Sequence, residues 1–521
     1  MPISIQEPQT SLDQSPKKQN RVTAIGIDLG TTHTLAAIFD GEKAQLIPLL
    51  PESEAHDGGH TSRFLMPSLV GFQDKRFVAG FDAFRLQQRN PASVVHAFKR
   101  LLGLSFKEAK TSLYPFALAP CQKEGLKLCF EGKKKSPQAL QTLLLETLKK
   151  HCEKSLGYPV SDAVITVPAY FDERARNATR TAAKKAGFNV LRLVSEPTAA
   201  ALAYALDEDK EGLYGVYDLG GGTFDFSLLS MQKGVFNVLA TCGHTHLGGH
   251  DIDHALLSVA CKNVSLCDTE KQALTLKIKA AKEKLSTKES VTIRQGAQNS
   301  FCLKRNILQK CADPLITQTL NLAEHALGDA NTQKNSLKGI ILVGGATRTF
   351  GLKERIATFF GKKPICTLNP DHVVALGAAR QAYALSEGGK HLLLDITPLT
   401  LGIETMGKIV EPIIRRNTRI PVVATQTFTT AKDNQKKLHI HVVQGEHKKV
   451  DQCRSLAHFE LENLPPLKAG KARIKVSFVL DSDGILTVTA QEKTSGCKQK
   501  ISVKPSYDLT LETAKKLLSA S

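Results

Sequence analysis

The sequence predicts an α/β domain made of two duplicated lobes around a central cleft, followed by a small all-β sandwich domain. Three observations carry this reading. A strand–turn–strand motif with an Asp-Leu-Gly tip occurs twice, about 190 residues apart. Alanine-rich helical stretches and short apolar strands surround both copies. Beyond about residue 390 the helical periodicity gives way to short alternating strands.

The bulk properties narrow the function classes. A chain of 521 residues can hold more than one cored domain. No apolar run approaches the roughly 18 residues of a membrane helix, so no membrane role is expected. The first twenty residues are polar, carry Pro2, Pro8 and Pro16, and offer no secretory core. They read as a disordered tail, residues 1–21, and the protein is expected in the cytoplasm. Eleven cysteines, an odd number with no Cys-x-x-Cys pair, read as reduced thiols. Cys242, His244, His246 and His250 match no standard zinc spacing and read as a glycine-rich turn carrying histidines. His439 and His441 alternate in an expected strand and read as neighbours on one sheet face. The net charge of +19 is spread along the chain. Its short runs, Lys133–Lys135 and Lys436–Lys437, lack interleaved aromatics, and there is no tryptophan. Nucleic acid is therefore not an expected partner.

The elements follow in order. Ala24 to Thr32 with Leu35 to Phe39, and Gly215 to Thr223 with Phe224 to Leu229, form the two hairpins. Helices are expected over Arg174–Ala186, Thr198–Leu206, Thr269–Leu285 and Val373–Ala384. Ile340–Val343 reads as a buried strand stopped by Gly344-Gly345. A flexible break at Ser386–Lys390 precedes the apolar run His391–Asp395. Lys437–Val443 and Arg473–Val479 alternate as strands, with Asp481–Gly484 as a hairpin turn. Thr510 could cap a short helix over Leu511–Leu518. The expected divisions are 22–387 for the first domain, 388–395 for a linker, 396–506 for the β domain and 507–521 for the start of a helical lid.

A hairpin tip of Gly and Thr lets backbone N–H groups approach a polyphosphate and adds hydroxyl donors. Asp28 and Asp218 beside such tips would repel phosphate unless a cation lay between, so the pair implies magnesium, held through its waters. Phosphoryl transfer to water needs charge neutralisation and a positioned nucleophile. Lys99 and Glu196 are candidates for those roles, although spacing alone reads them more readily as solvated surface charges.

Several motifs then carry a family resemblance. They are Asp28-Leu-Gly-Thr-Thr, Val167-Pro-Ala-Tyr-Phe171, Glu196-Pro-Thr-Ala-Ala-Ala201, Asp218-Leu-Gly-Gly-Gly-Thr-Phe-Asp225, Leu342-Val-Gly-Gly345, Asn369-Pro-Asp371, Leu392-Leu-Leu-Asp395 and Leu401-Gly-Ile-Glu-Thr-Met406. Together they resemble the DnaK-type heat-shock chaperones over about residues 22–510. Gly234-Val-Phe236, Cys453-Arg-Ser-Leu-Ala457 and Arg416-Asn417 with Ile420-Pro-Val422 are similar to the HscA branch, the iron–sulfur assembly chaperones.

The resemblance implies an actin-like ATPase domain coupled to a β-sandwich peptide-binding domain. It implies ATP or ADP and magnesium as cofactors, with potassium as a further ion. Gly30, Thr31, Thr32, Gly220, Gly221 and Gly222 would hold the phosphates. Asp28, Asp218 and Glu196 would hold the metal, and Lys99, Glu196 and Thr223 would serve catalysis beside the two aspartates. Lys282, Ser286, Gly344, Gly345, Arg348 and Asp371 would line the nucleoside pocket. Pro168, Arg176 and Leu392, Leu393, Leu394 and Asp395 would couple the domains. Ile403, Met406, Ile409, Phe428, Ala431, Leu438 and Ile440 would form the peptide cleft, although the residues alone read as sandwich core. The implied partners are a J-domain co-chaperone and an iron–sulfur scaffold protein carrying a Leu-Pro-Pro-x-Lys peptide, and the implied state is a monomer. This chain carries its own near copy, Leu464-Pro-Pro-Leu-Lys468, which reads first as a proline-stiffened turn.

Some positions depart from the family pattern. His33, His244, His250, Ala346, Lys279 and Glu283 do, and they imply weaker nucleotide affinity with hydrolysis retained. Of the lid that the family carries, only the start of the first helix is expected here. A general folding chaperone and a nucleotide sensor without turnover are the alternatives.

Overall fold

The computed structural model describes residues 24–52, 62–109, 114, 116–121, 125–130, 132–204, 211–232, 234–261, 266–295, 299–388, 392–496 and 498–502. The expected tail 1–21, linker residues 389–391 and the lid start 507–521 lie outside them.

Each Asp-Leu-Gly motif closes an antiparallel hairpin that is flanked by a parallel strand. In the first lobe the strand Ala24–Leu29 pairs with His33–Phe39 on one side and with Asp162–Val167 on the other. Asn189–Ser195 continues that sheet in parallel. In the second lobe Gly212–Leu219 pairs with Phe224–Gln232 and, in parallel, with Gly339–Val343. The repeat read in the sequence is thus a repeat of topology. Strands buried on both faces explain the near-continuous apolar runs, such as Gly-Ile-Ile-Leu-Val at Gly339–Val343.

Helices join the lobes at the back of the cleft. Val373–Tyr383 packs on the strand Ala24–Leu29 and on the helix Glu196–Tyr204. Its alanines and Gly377 permit a close approach: a Cβ added at Gly377 would lie 1.7 Å from Ala199 O. The other expected helices form over Glu173–Lys185 and Asp268–Lys284, each within a residue or two of its expected bounds.

The second sheet does not stop at the first domain. Val235–His244 pairs with Leu392–Ile396 in parallel, and that strand pairs with Arg419–Ile420. The apolar run is therefore an inner strand of this sheet, laid between Val235–His244 of the second lobe and Arg419–Ile420 at the sheet's edge. Beyond it, two four-stranded antiparallel sheets face each other. Ile474–Leu480 alternates strictly, with Ile474, Val476, Phe478 and Leu480 in the core. His439 and His441 lie on one face and stack with His458 from the next strand. The Leu464–Lys468 run works as a turn. Leu464 is buried, its N–H donates to Lys436 O at 3.0 Å, and Leu467 N–H donates to Pro465 O at 2.9 Å.

Candidate active site

The two hairpins bring their tips together. A Cβ added at Gly221 would stand 1.9 Å from Thr32 Oγ1, and one at Gly222 would stand 2.6 Å from Thr31 Cγ2. Only hydrogen fits at these two positions of the second tip. Gly220 N–H donates to Thr223 O at 3.0 Å and closes that turn. Gly30 O accepts from Ser68 Oγ at 2.8 Å, and Ser68 Oγ lies 2.9 Å from Thr34 Oγ1, which fixes the first tip.

Behind the tips lies a buried cluster of acids. Asp28 and Asp218 end their strands side by side with Glu196 and Asp225. Burial first, then repulsion from Glu196, raises the Asp28 carboxyl to about 7. Asp218 is raised well above the usual carboxylate range by burial and by Glu196, Asp225 and Asp28. Burial and Glu196 raise Asp225 to about 7. Lys99 faces them: its Nζ pairs with Glu196 Oε1 at 2.6 Å and donates to Leu29 O at 2.5 Å. Lys99 and Glu196 are only 5% and 7% exposed, so neither is a solvated surface charge.

Four carboxylates around one ammonium leave an uncompensated negative pocket. Such a pocket either takes up protons or takes up a cation, and an all-oxygen donor set suits a hard one. Among the described residues no three His, Cys, Asp or Glu converge closely enough to chelate an ion directly. A magnesium ion in this pocket would therefore have to be held through its own waters.

Other expected positions gather nearby. Arg348 Nη1 pairs with Asp371 Oδ2 at 2.5 Å, and its Nη2 donates to Asn369 Oδ1 at 2.8 Å. Lys282 Nζ pairs with Asp253 Oδ1 at 2.8 Å and donates to Gly249 O at 2.9 Å. A Cβ at Gly249 would lie 3.2 Å from Lys282 Nζ and 3.4 Å from Ala346 Cβ, so the two walls of the expected nucleoside pocket meet here. Gly344 and Gly345 lead into this wall, beside Asp218 and Asp371. Ser286 is half-buried beyond the end of its helix, and its hydroxyl donates to Glu283 O at 2.6 Å.

Three supports escaped the sequence reading. Arg100 spans the lobes: Nε donates to Gly222 O at 2.6 Å and Nη2 pairs with Asp251 Oδ2 at 2.5 Å. Thr166 Oγ1 donates to Asp28 Oδ1 at 3.2 Å. Asp225 Oδ1 accepts from Tyr170 N–H at 2.9 Å. The one signal for Arg100 was its place beside Lys99 in an apolar stretch.

That last bond begins a chain of contacts leading out of the cleft. Phe171 N–H donates to Pro168 O at 3.1 Å. Arg176 donates to Phe171 O at 3.1 Å and, through Nη1, to Asp483 O of the β sandwich at 3.2 Å. Asp483 also accepts from Leu193 N–H at 3.0 Å and pairs with Arg180 at 3.0 Å. Leu393 and Asp395 are buried in the strand that bridges the two parts, where Leu392–Leu394 pair with Val235–Asn237. Glu173, at the same contact, is buried with neither carboxyl oxygen hydrogen-bonded. Burial pushes its carboxyl up to about 8.

The expected peptide positions divide. Met406 is 82% exposed and Ile409 51%. Phe428 and Leu438 are half-buried, and Ala431 is exposed. Ile403 and Ile440 are only 4% and 3% exposed and belong to the sandwich core, so they could supply at most the floor of a cleft.

A family model described as Hsp70 protein matches residues 24–521. Among known proteins, a chaperone protein HscA homolog of Methylibium petroleiphilum is 43% identical over 530 residues, covering 99% of this chain and 83% of its own length. The chaperone protein HscA homolog of Bordetella pertussis is 43% identical over 531 residues, covering 100% and 83%. That of Chromobacterium violaceum is 42% identical over 533 residues, again covering 100% and 83%. No helix among the described residues is long and apolar enough to cross a membrane.

Proposed function

The chain belongs to the Hsp70 family and is an ATP-dependent chaperone, and on that premise we propose that it hydrolyses ATP between Asp28 and Asp218 and uses the result to change how its domains dock. The observation that carries the reading is the acid cluster around Lys99, set where two Gly-Thr tips meet. Backbone N–H groups of Gly30–Thr32 and Gly221–Thr223 hold the phosphates, while Gly220 closes its turn on Thr223 O. Asp28, Asp218 and Glu196 hold hydrated magnesium, which supplies charge neutralisation at the phosphates. Lys99 and Glu196 orient the attacking water, and Thr223 stands at the terminal phosphate. Lys282, Ser286, Gly344, Gly345, Arg348 and Asp371 receive the nucleoside. Potassium is a further ion for the same pocket.

Coupling runs from Asp225 through Tyr170, Pro168–Phe171 and Arg176 to Asp483. A change of charge in the cleft biases that path, and the bridging strand Leu392–Asp395 stays or leaves with it. Glu173 makes docking pH-dependent. Its carboxyl is raised when docked and ordinary when the β domain leaves, so docking binds a proton. Docking is then favoured at low pH and weakens as pH rises through about 8. Between pH 8.5 and pH 7 the docked fraction over the undocked should rise about tenfold. Glu173→Gln should abolish that slope, as read by energy transfer between labels on the two domains; an unchanged slope in the variant assigns it to another group.

The client is proposed to be an iron–sulfur scaffold protein, recognised through an extended Leu-Pro-Pro-x-Lys peptide, with a J-domain co-chaperone delivering it to a monomeric chaperone. Full-length similarity to HscA homologs supports this. A peptide of that sequence should stimulate ATP turnover more than a generic hydrophobic peptide does. Equal stimulation would instead favour a general folding role. Met406→Asp and Ile409→Asp should each weaken peptide binding about tenfold, the worth of one buried aliphatic contact, while leaving basal turnover unchanged.

A further inference from the structure

We infer that His250 is a nucleotide-binding residue that meets the phosphates as an imidazolium, so that nucleotide enters the cleft together with a proton. The inference rests on the cleft being the nucleotide site and gives a binding role to His250, which the sequence read only as a departure that weakens affinity. His250 is the second residue of the helix Gly249–Ala260. Its N–H donates to Gly221 O at 2.8 Å, which seats it against the second phosphate tip. Its ring carbon Cε1 lies 3.5 Å from where a Cβ on Gly221 would stand, the same point that lies 1.9 Å from Thr32 Oγ1. The imidazole therefore covers the contact between the two tips.

The ring is not satisfied by the protein. Nδ1 is buried with no hydrogen-bond partner. Buried polar atoms in folded proteins are nearly always paired, and an orphan at a candidate site points to a missing ligand.

The charged groups around the ring define that ligand. His96, from the opposite lobe, lies with its ring centre 5.7 Å away. Arg100 from the same segment, and Lys279 and Lys282 from the helix Asp268–Lys284, add positive charge. On its own helix, Asp251 is engaged by Arg100 and Asp253 by Lys282, so neither acid is left over for the imidazole. Burial first, and then these cations, hold His250 neutral, well below its ordinary range. His96 is held down to about 4 for the same reasons.

A polyphosphate on the tips reverses the field at the ring. An imidazole beside several phosphate oxygens gains both a Coulombic partner and an acceptor for its N–H. The His250 pKa is then higher in the complex than in the free protein. Linkage fixes the sign: affinity is greatest at low pH and falls as pH rises through the pKa of the complex, by at most tenfold per pH unit. The acids of the cleft titrate near neutrality too, Asp28 and Asp225 at about 7, but they lose protons when a cation binds, the opposite sign to His250.

Calorimetry with ADP at saturating magnesium, in two buffers of different ionisation heat at pH 7, counts the protons taken up. Wild type should take up about half a proton or more beyond H250N, and the ratio of wild-type to H250N affinity for ADP should fall severalfold from pH 6.5 to pH 8, whatever slope the acid cluster gives to both. H96N, which removes only the neighbouring ring, should keep the uptake. Equal uptake in wild type and H250N, with both binding ADP, overturns the inference and leaves the nucleotide site standing. Failure of wild type to bind ADP overturns the nucleotide reading itself. Should H250N not fold, the imidazole nitrogen shifts of wild type give the answer: a ring that stays neutral on addition of ADP at pH 7 contradicts the proposal.

Discussion

Lys99→Ala is expected to lower ATP turnover about a thousandfold, a loss of ~4 kcal/mol in transition-state stabilisation. Lys99 is the one ammonium facing four buried acids, and it is fixed by Glu196 at 2.6 Å and Leu29 O at 2.5 Å. Without it, Glu196 loses both its orientation and its counter-charge. A Glu196 carboxylate no longer held by the ammonium can neither fix a water for attack nor keep its place beside a cation. Single-turnover phosphate release checks this, with nucleotide affinity measured beside it. The fall should lie in the rate constant, and affinity should change much less. A loss under tenfold would remove Lys99 from the reaction.

Gly377→Ala is expected to cost at least ~3 kcal/mol of stability. The added methyl would stand 1.7 Å from Ala199 O and 2.5 Å from Ala199 C, which are backbone atoms of a neighbouring helix. A side chain could rotate aside, but here two helices must separate, and overpacking of that kind costs this much or more. Both helices carry the site: Glu196 opens one, and Val373–Tyr383 packs on the strand Ala24–Leu29 that carries Asp28. Thermal unfolding should show a much lowered midpoint, and the residual folded protein should turn over ATP slowly. A midpoint within a degree or two of wild type would mean that the helices are more loosely packed than the close approach implies.

The parts of the site that were legible in the sequence are those written in short, contiguous signals. The Asp-Leu-Gly tips announce themselves because a strand, a tight turn and a hydroxyl must follow one another along the chain. The β sandwich shows through its period-two burial, as at Ile474–Leu480. Contacts between distant segments leave no such trace. Arg100 reaches Gly222 and Asp251 across more than a hundred residues. Ser68 supports Gly30, and Thr166 supports Asp28, from other elements. Glu173 reads as an ordinary acid in the first turn of a helix, and only packing of the β domain over it makes it a buried, unpaired carboxyl. The alternation of the peptide-domain strands could not tell which face is a cleft. Ile403 and Ile440 turn inward, whereas Met406 and Ile409 sit where a strand ends and its turn begins.

Magnesium dependence of ATP binding tests the central claim most directly. Titration calorimetry of wild type with ATP should give at least a hundredfold tighter binding with magnesium than with a chelator present. Asp28→Asn combined with Asp218→Asn should bind ATP about equally in both conditions, because the neutral amides no longer need a cation between them and the phosphates. Wild type that binds ATP equally well with and without magnesium, or does not bind it at all, would contradict the account.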